Sequence, residues 1–166
     1  VLRRNAPQFL GVQETQALLD GLEQTAPALV RAAGEKIQPT VLTEVLRLLV
    51  EEGVSIRNLR AVLESLAEPN VEGDVAALAE RARSALKRHP SHRFAPDGTM
   101  LALLVDPAVE ETVRGAARGS GLAIDPNHHM GIIDGLKTAL RGNSSGVILA
   151  SPEIRRSLRR LIAGSV

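Results

Sequence analysis

Apolar residues recur every three or four positions through the first half of this chain, the period of helices with one face turned inward. A helical end at Ala6–Leu10 is followed by a helix near Gln13–Gln24, with Val12, Leu19, Leu22 and Ala26 on one face and Leu18 beside them. Pro27 suits the first position of a short helix, where its missing N–H costs nothing. Thr40 is placed to cap a third helix running to about Glu52. Its Val41, Leu42, Val45, Leu46, Leu48 and Leu49 crowd more than one face. A helix apolar over so much of its circumference belongs at the centre of a bundle.

Glu51–Arg60 then reads as a helix end, a tight corner and a new helix start. Gly53 supplies the left-handed residue that closes the first helix, and Ser55 is the expected N-cap of the next. Ile56, Leu59, Leu63 and Leu66 follow at spacings of three, four and three, while Arg57, Arg60 and Glu64 project elsewhere. That fourth helix should end near Ala67. Pro69, Asn70 and Gly73 make a loop, and Asp74 caps a fifth helix to about Arg88. Short connections between helices of this period give a compact bundle.

The pattern changes after residues 89–98, where His89, Pro90, His92, Pro96, Asp97 and Gly98 are linker chemistry. Three short apolar runs follow: Met100–Val105, Leu122–Ile124 and Val147–Ala150. Each leads into a capping residue and a proline, at Asp106-Pro107, Asp125-Pro126 and Ser151-Pro152, and then into a helical segment. Repeated strand–cap–Pro–helix units predict an α/β subdomain. The expected fold is therefore α+β overall, an all-helical bundle followed by a small α/β subdomain. Its boundaries are the end of a preceding subdomain at 1–11, the bundle at 12–88, a linker at 89–98 and the α/β part at 99–166.

Composition narrows the function. The 166 residues are 44% hydrophobic but only 1% aromatic, so Leu, Val, Ile and Ala must fill the core. A chain of this length buries roughly 70% of its unfolded surface. No Cys is present, which removes disulfide and thiolate chemistry. The net charge is +1, with a net of −1 over residues 1–88 and +2 over 89–166. Neither half carries the basic field that a general nucleic-acid binder needs. There is no apolar run of about 18 residues to span a membrane and no signal-peptide pattern.

Candidate chemistry is sparse. His128 and His129 beside Asp125 are adjacent on a helix, so they point about 100° apart and do not chelate one ion together. His89 and His92 have no acidic or Cys partner at ligand spacing. Gly142-Asn143-Ser144-Ser145-Gly146 leads into a strand, whereas phosphate loops lead into a helix, and no Walker lysine follows. No metal, cofactor or catalytic constellation is expected. Arg155, Arg156, Arg159 and Arg160 lie opposite Ile154, Leu158, Leu161 and Ile162. They read as a solvated helix face or as a contact surface for an acidic neighbour. The helix pair around Gly53 also fits a DNA-binding helix-turn-helix led by Arg57, Asn58 and Arg60, although Glu51, Glu52 and Glu64 flank it.

The run Phe9-Leu10-Gly11-Val12-Gln13-Glu14-Thr15-Gln16-Ala17-Leu18-Leu19-Asp20, with Glu51–Arg60, resembles the cytoplasmic domain of the type III secretion export gate. This is the large inner-membrane protein of injectisomes, related to the flagellar export gate FlhA. Leu63-Glu64-Ser65-Leu66, Ser84–Arg88 and Ser151–Leu161 extend the resemblance over nearly the whole chain, and the Glu52–Arg60 wording favours the injectisome type. The resemblance implies a non-enzymatic domain at the cytoplasmic face of the bacterial inner membrane. It implies assembly into a ring, typically of nine subunits, that receives secretion chaperones with their cargo alongside other export-apparatus proteins. It assigns ring-building to the helical part, movement to the α/β part, and the chaperone pocket mostly upstream of Val1; the change of pattern at 89–98 makes that segment the candidate hinge. Family members continue into a closing strand beyond the last helix, and a start at Val1 suggests a piece of a longer chain. The candidate subunit or partner contacts are Arg57, Arg60, Glu64, Arg155, Arg156, Arg159 and Arg160.

Overall fold

A computed structural model describes residues 6–87, 94–95, 98–100, 102–118, 124–140 and 147–163. Among the described residues the regular elements are helices and two short strands, an α+β arrangement as the sequence pattern predicts, with two of the three expected strands described. The chain divides into two compact units, Val1–Pro96 and Asp97–Val166.

In the first unit a 3-10 turn at Ala6–Phe9 leads into α1 (Val12–Glu23), α2 (Pro27–Gly34), α3 (Pro39–Glu51), α4 (Leu59–Ala67) and α5 (Val75–Ala85). The centre is α3, which buries Leu42, Thr43, Val45, Leu46 and Leu49. Leu59, Val62, Leu63 and Leu66 of α4 and Leu78, Ala79 and Ala82 of α5 close on it, and Leu10 and Leu19 seal the N-terminal side. The end of α3 is a Schellman closure. Gly53 has φ 72°, its N–H reaches Val50 O at 2.9 Å, and Val54 N–H reaches Leu49 O at 2.9 Å. Val54 itself is buried, so the corner is nailed to the core by an apolar side chain.

Several local expectations shift. The α4 helix starts at Leu59, not Ile56, because Asn58 is its N-cap and accepts from Ala61 N–H at 3.2 Å. Ser55 Oγ only accepts from Arg57 N–H within the corner, at 3.4 Å. Thr40 is likewise not the cap of α3. The helix opens at Pro39 behind Gln38, and the pre-formed φ of proline sets the start. On α1, Val12 and Leu18 are exposed and Thr15 is buried in their place. Burial of this threonine is tolerated because its Oγ1 donates to Gly11 O at 2.9 Å. Thr43 Oγ1 lies 2.9 Å from Thr15 Oγ1 and 2.7 Å from Pro39 O. Asp74 caps α5 as expected, accepting from Ala77 N–H at 2.9 Å.

In the second unit β1 (Ala102–Leu104) pairs in parallel with β2 (Val147–Leu149), with Leu103 opposite Ile148. The helices are α6 (Pro107–Arg118), α7 (Pro126–Leu140) and α8 (Pro152–Ile162). Val113, Ile154 and Leu158 form the core, with Val105, Val109, Ile132 and Ile148 against it. Asp106 and Asp125 cap their helices through Ala108 N–H at 2.8 Å and Asn127 N–H at 2.9 Å. Ser151 makes no such side-chain bond. Its N–H instead donates to Glu110 Oε1 at 2.9 Å, tying the start of α8 to α6. The expected middle strand at Leu122–Ile124 lies outside the described residues apart from Ile124, as does most of the 89–98 segment.

Truncating the centre of α3 should be severe. Leu46→Ala removes a fully buried side chain and is expected to cost about 2–5 kcal/mol, whereas Leu18→Ala on the exposed face of α1 should stay within about 0.5 kcal/mol. Chemical denaturation measures the difference. Equal losses would show that α3 is not the centre.

Candidate interaction surfaces

The α4 helix turns Leu59, Val62, Leu63 and Leu66 inward, which leaves Arg60 and Glu64 on the outside one turn apart. Arg60 Nε and Glu64 Oε1 pair at 3.0 Å, with 62% and 55% of their side chains exposed. Arg57, in the corner before the helix, is also exposed. The structure thus places these three sequence-predicted residues on the outer surface of one helix and its lead-in. The pair itself adds only about 0.3–0.5 kcal/mol to stability.

What holds this surface in place was not read from the sequence. Lys36 Nζ donates to Ala67 O at 2.6 Å and Glu68 O at 2.8 Å, putting a cation on the carbonyl end of α4 where the helix dipole favours it. Arg81 of α5 donates through Nε to Ser65 O at 2.8 Å and pairs with Glu68. Arg47 of α3 donates to Leu10 O at 2.6 Å. Each is a long basic side chain spent on a backbone carbonyl of another segment. Sequence periodicity marks such a residue as polar and stops there, because the acceptor is 16 to 37 residues away.

The second surface is α8. Ile154, Leu158 and Leu161 are buried, Arg155 and Arg156 are half-buried, and Arg159 and Arg160 are exposed. Glu153 in its first turn sits where the dipole favours an acid, and Arg159 and Arg160 occupy the last turn, where it favours cations. Arg114 on α6 gathers the local carboxylates, at 2.5 Å from Glu111, 3.2 Å from Glu153 and 3.6 Å from Glu110. Its hydrogen bond to Glu111, with the charges of Glu111 and Glu153, raises the guanidinium pKa above its already high ordinary value. The α4 and α8 surfaces belong to different compact units.

His128 lies 4.0 Å from Asp125 in the open, whereas His129 Nε2 faces Leu161 O at 3.2 Å. The two rings have separate environments, as adjacent positions on a helix require. Among the described residues no group of three potential metal ligands comes together, and none of their helices is long and apolar enough to cross a membrane. His89, His92 and the Gly142–Gly146 run lie outside the described residues.

The described residues thus form a helical bundle followed by a small parallel α/β unit, with charged side chains on outer helix faces. The chain belongs to the FHIPEP family, whose family model matches residues 1–166. It is 41% identical to the hypersensitivity response secretion protein HrcV of Ralstonia nicotianae, over 98% of this chain and 25% of that protein. It spans about a quarter of the length of the curated relatives it matches. Nonameric SctV-C from EPEC, solved by cryo-EM, is 36% identical with a TM-score of 0.89, covering 99% of this chain and 52% of that one. CdsV of Chlamydia pneumoniae, solved in complex with CdsO, is 32% identical with a TM-score of 0.84, covering 98% of this chain and 51% of that one. These relatives are injectisome-type type III secretion export-gate components, and the chain corresponds to part of their C-terminal domain. The family is a structural part of a secretion apparatus. The helix-turn-helix reading of the α3–α4 corner gains no support from it.

Because the Arg60–Glu64 pair is exposed, breaking it should leave the fold intact. Glu64→Gln is expected to change unfolding free energy by less than about 0.5 kcal/mol in the complete C-terminal domain. A loss several times larger would mean that this face is buried in the assembled protein.

Proposed function

We propose that this chain is part of a cytoplasmic docking platform in an injectisome export gate, at the cytoplasmic face of the bacterial inner membrane. The platform assembles as a ring, receives chaperone–substrate complexes and helps order their export. The observation that carries this reading is the fold-long likeness to a nonameric relative, at 36% identity and a TM-score of 0.89 over 99% of the chain. A relative solved together with another protein, CdsO, supports the idea that such a domain also receives apparatus components.

Within that reading the bundle (12–88) builds the ring, and Arg57, Arg60 and Glu64 contribute to subunit contacts. The basic face of α8, at Arg155, Arg156, Arg159 and Arg160, meets an acidic neighbour. The 99–166 part moves relative to the bundle through 89–98. The work is done by surface complementarity and rigid-body motion, with no chemical step. Charges that are exposed and only mutually paired suit this role. They can be exchanged for contacts across an interface at small cost to the fold.

Reversing Arg57 and Arg60 together to Glu is expected to weaken assembly of the complete C-terminal domain at least tenfold while its circular dichroism and melting stay unchanged. Sedimentation velocity reads the first and thermal unfolding the second. An unchanged oligomer distribution would remove these residues from the ring contacts. Failure of the unaltered domain to assemble or to bind any chaperone–cargo complex would count against the platform itself.

A further inference from the structure

The centre of the bundle is filled, but one flank is not. Between α1, α2, α4 and the start of α3 lies an apolar cavity of about 190 Å³. Its walls are Leu19 of α1, Val30 and Ala33 of α2, Leu42 of α3, and Leu63 and Leu66 of α4. No charged side chain lines it. Gln16, Gly34 and Pro39 also line it and are exposed, which marks them as the mouth.

A void of this size ordinarily shrinks, because the surrounding helices relax partway into it. Here polar ties just outside the cavity fix the spacing of its walls. Thr43 Oγ1 lies 2.9 Å from Thr15 Oγ1, joining α3 to α1 at the residues next to Leu42 and Gln16. Lys36 Nζ donates to Ala67 O at 2.6 Å and Glu68 O at 2.8 Å. Lys36 precedes Ile37, another lining residue, and Ala67 follows Leu66, so this tie fastens the α2–α3 connection to the end of α4 at the cavity's edge. The α2 side is kept small by Ala33 and Gly34, and a Cβ on Gly34 would meet nothing within 4 Å. A site formed in advance spares a ligand the cost of opening one.

We propose that this cavity binds a small, flat, uncharged apolar molecule, a single or fused ring of roughly six to nine non-hydrogen atoms. A cavity of about 150 Å³ walled by aliphatic side chains stays dry and takes benzene. Drug-sized ligands occupy pockets of roughly 300–1,000 Å³ and are too large for this one. Charged ligands are excluded as well, since no lining group neutralises a carboxylate or an ammonium. The ligand touches four helices at once and therefore stabilises the folded bundle. The proposal uses only the packing of the first unit and stands apart from the export-platform reading.

Methyl NMR of the complete C-terminal domain, titrated with indole, tests it, because a bound ring shifts the methyl resonances nearest to it. Saturable shifts are expected for Leu19, Val30, Ile37, Leu42, Leu63 and Leu66, with a dissociation constant on the order of 1 mM or tighter. Benzoate, similar in size but charged, should shift none of them. Ala33→Val narrows the cavity and should weaken indole about tenfold without lowering the melting temperature. If that variant folds poorly, Gly34→Leu blocks the mouth, where there is open space, and should weaken indole to the same extent. The proposal is overturned by an absence of saturable shifts at these methyls, by equal shifts with benzoate, or by unchanged indole binding in a folded variant.

Discussion

The fold depends on the apolar circumference of α3. That helix buries Leu42, Thr43, Val45, Leu46 and Leu49 and packs Val41, Leu48 and Val50 partly against the same cluster, so it must be covered over much of its circumference. Enclosure dictates the rest of the first unit. Both α4 and α5 close on it, the Schellman turn at Gly53 sends the chain back at once, and the buried Val54 holds that turn to the core. With only two phenylalanines in 166 residues, the packing must be made by branched aliphatics, which fit closely spaced helices at many contacts of small individual worth.

Enclosing a helix creates a second problem, the carbonyl ends of the helices wrapped around it. The chain meets it with long basic side chains. Lys36 covers the end of α4, Arg81 reaches Ser65 O, and Arg47 reaches Leu10 O. A hydrogen bond from a charged donor is stronger than a neutral one, and each of these also joins segments distant in sequence. The result is a scaffold whose outer face is fixed even though the charges displayed on it, such as Arg60 and Glu64, contribute little to stability. That separation between what holds the fold and what faces outward is the condition under which an assembly surface can vary freely.

Much of this was legible in the residues. The helix count of the first unit, the left-handed Gly53, the Asp74 cap and the prolines opening α2, α6, α7 and α8 follow from local chemistry. The errors are local competitions that periodicity does not resolve. Ser55 and Asn58 are both good caps three residues apart, and the later one wins because the corner needs Ile56 against the core. Thr15 beats Val12 and Leu18 for the inside of α1 because its hydroxyl bonds its own helix and meets Thr43. The three-way gathering of carboxylates around Arg114 depends on a contact 39 residues away in sequence, so no pattern along the chain announces it. The outer residues Arg57, Arg60 and Glu64 were identifiable as exposed; exposure alone does not say what they touch.

The bundle places Gly53 and Gly73 where a positive φ demands glycine and fills its centre, yet leaves Gly21 inside α1 with open space around it. The second unit spends Gly131 and Gly135 inside a helix where neither backbone geometry nor close packing calls for them, above a cavity that larger residues could fill. A chain under pressure only to be stable gains from Ala at both positions. The α6–α8 pair is instead clamped by Arg114 on Glu153 and by Ser151 N–H on Glu110, so polar ties take over where apolar burial is thin.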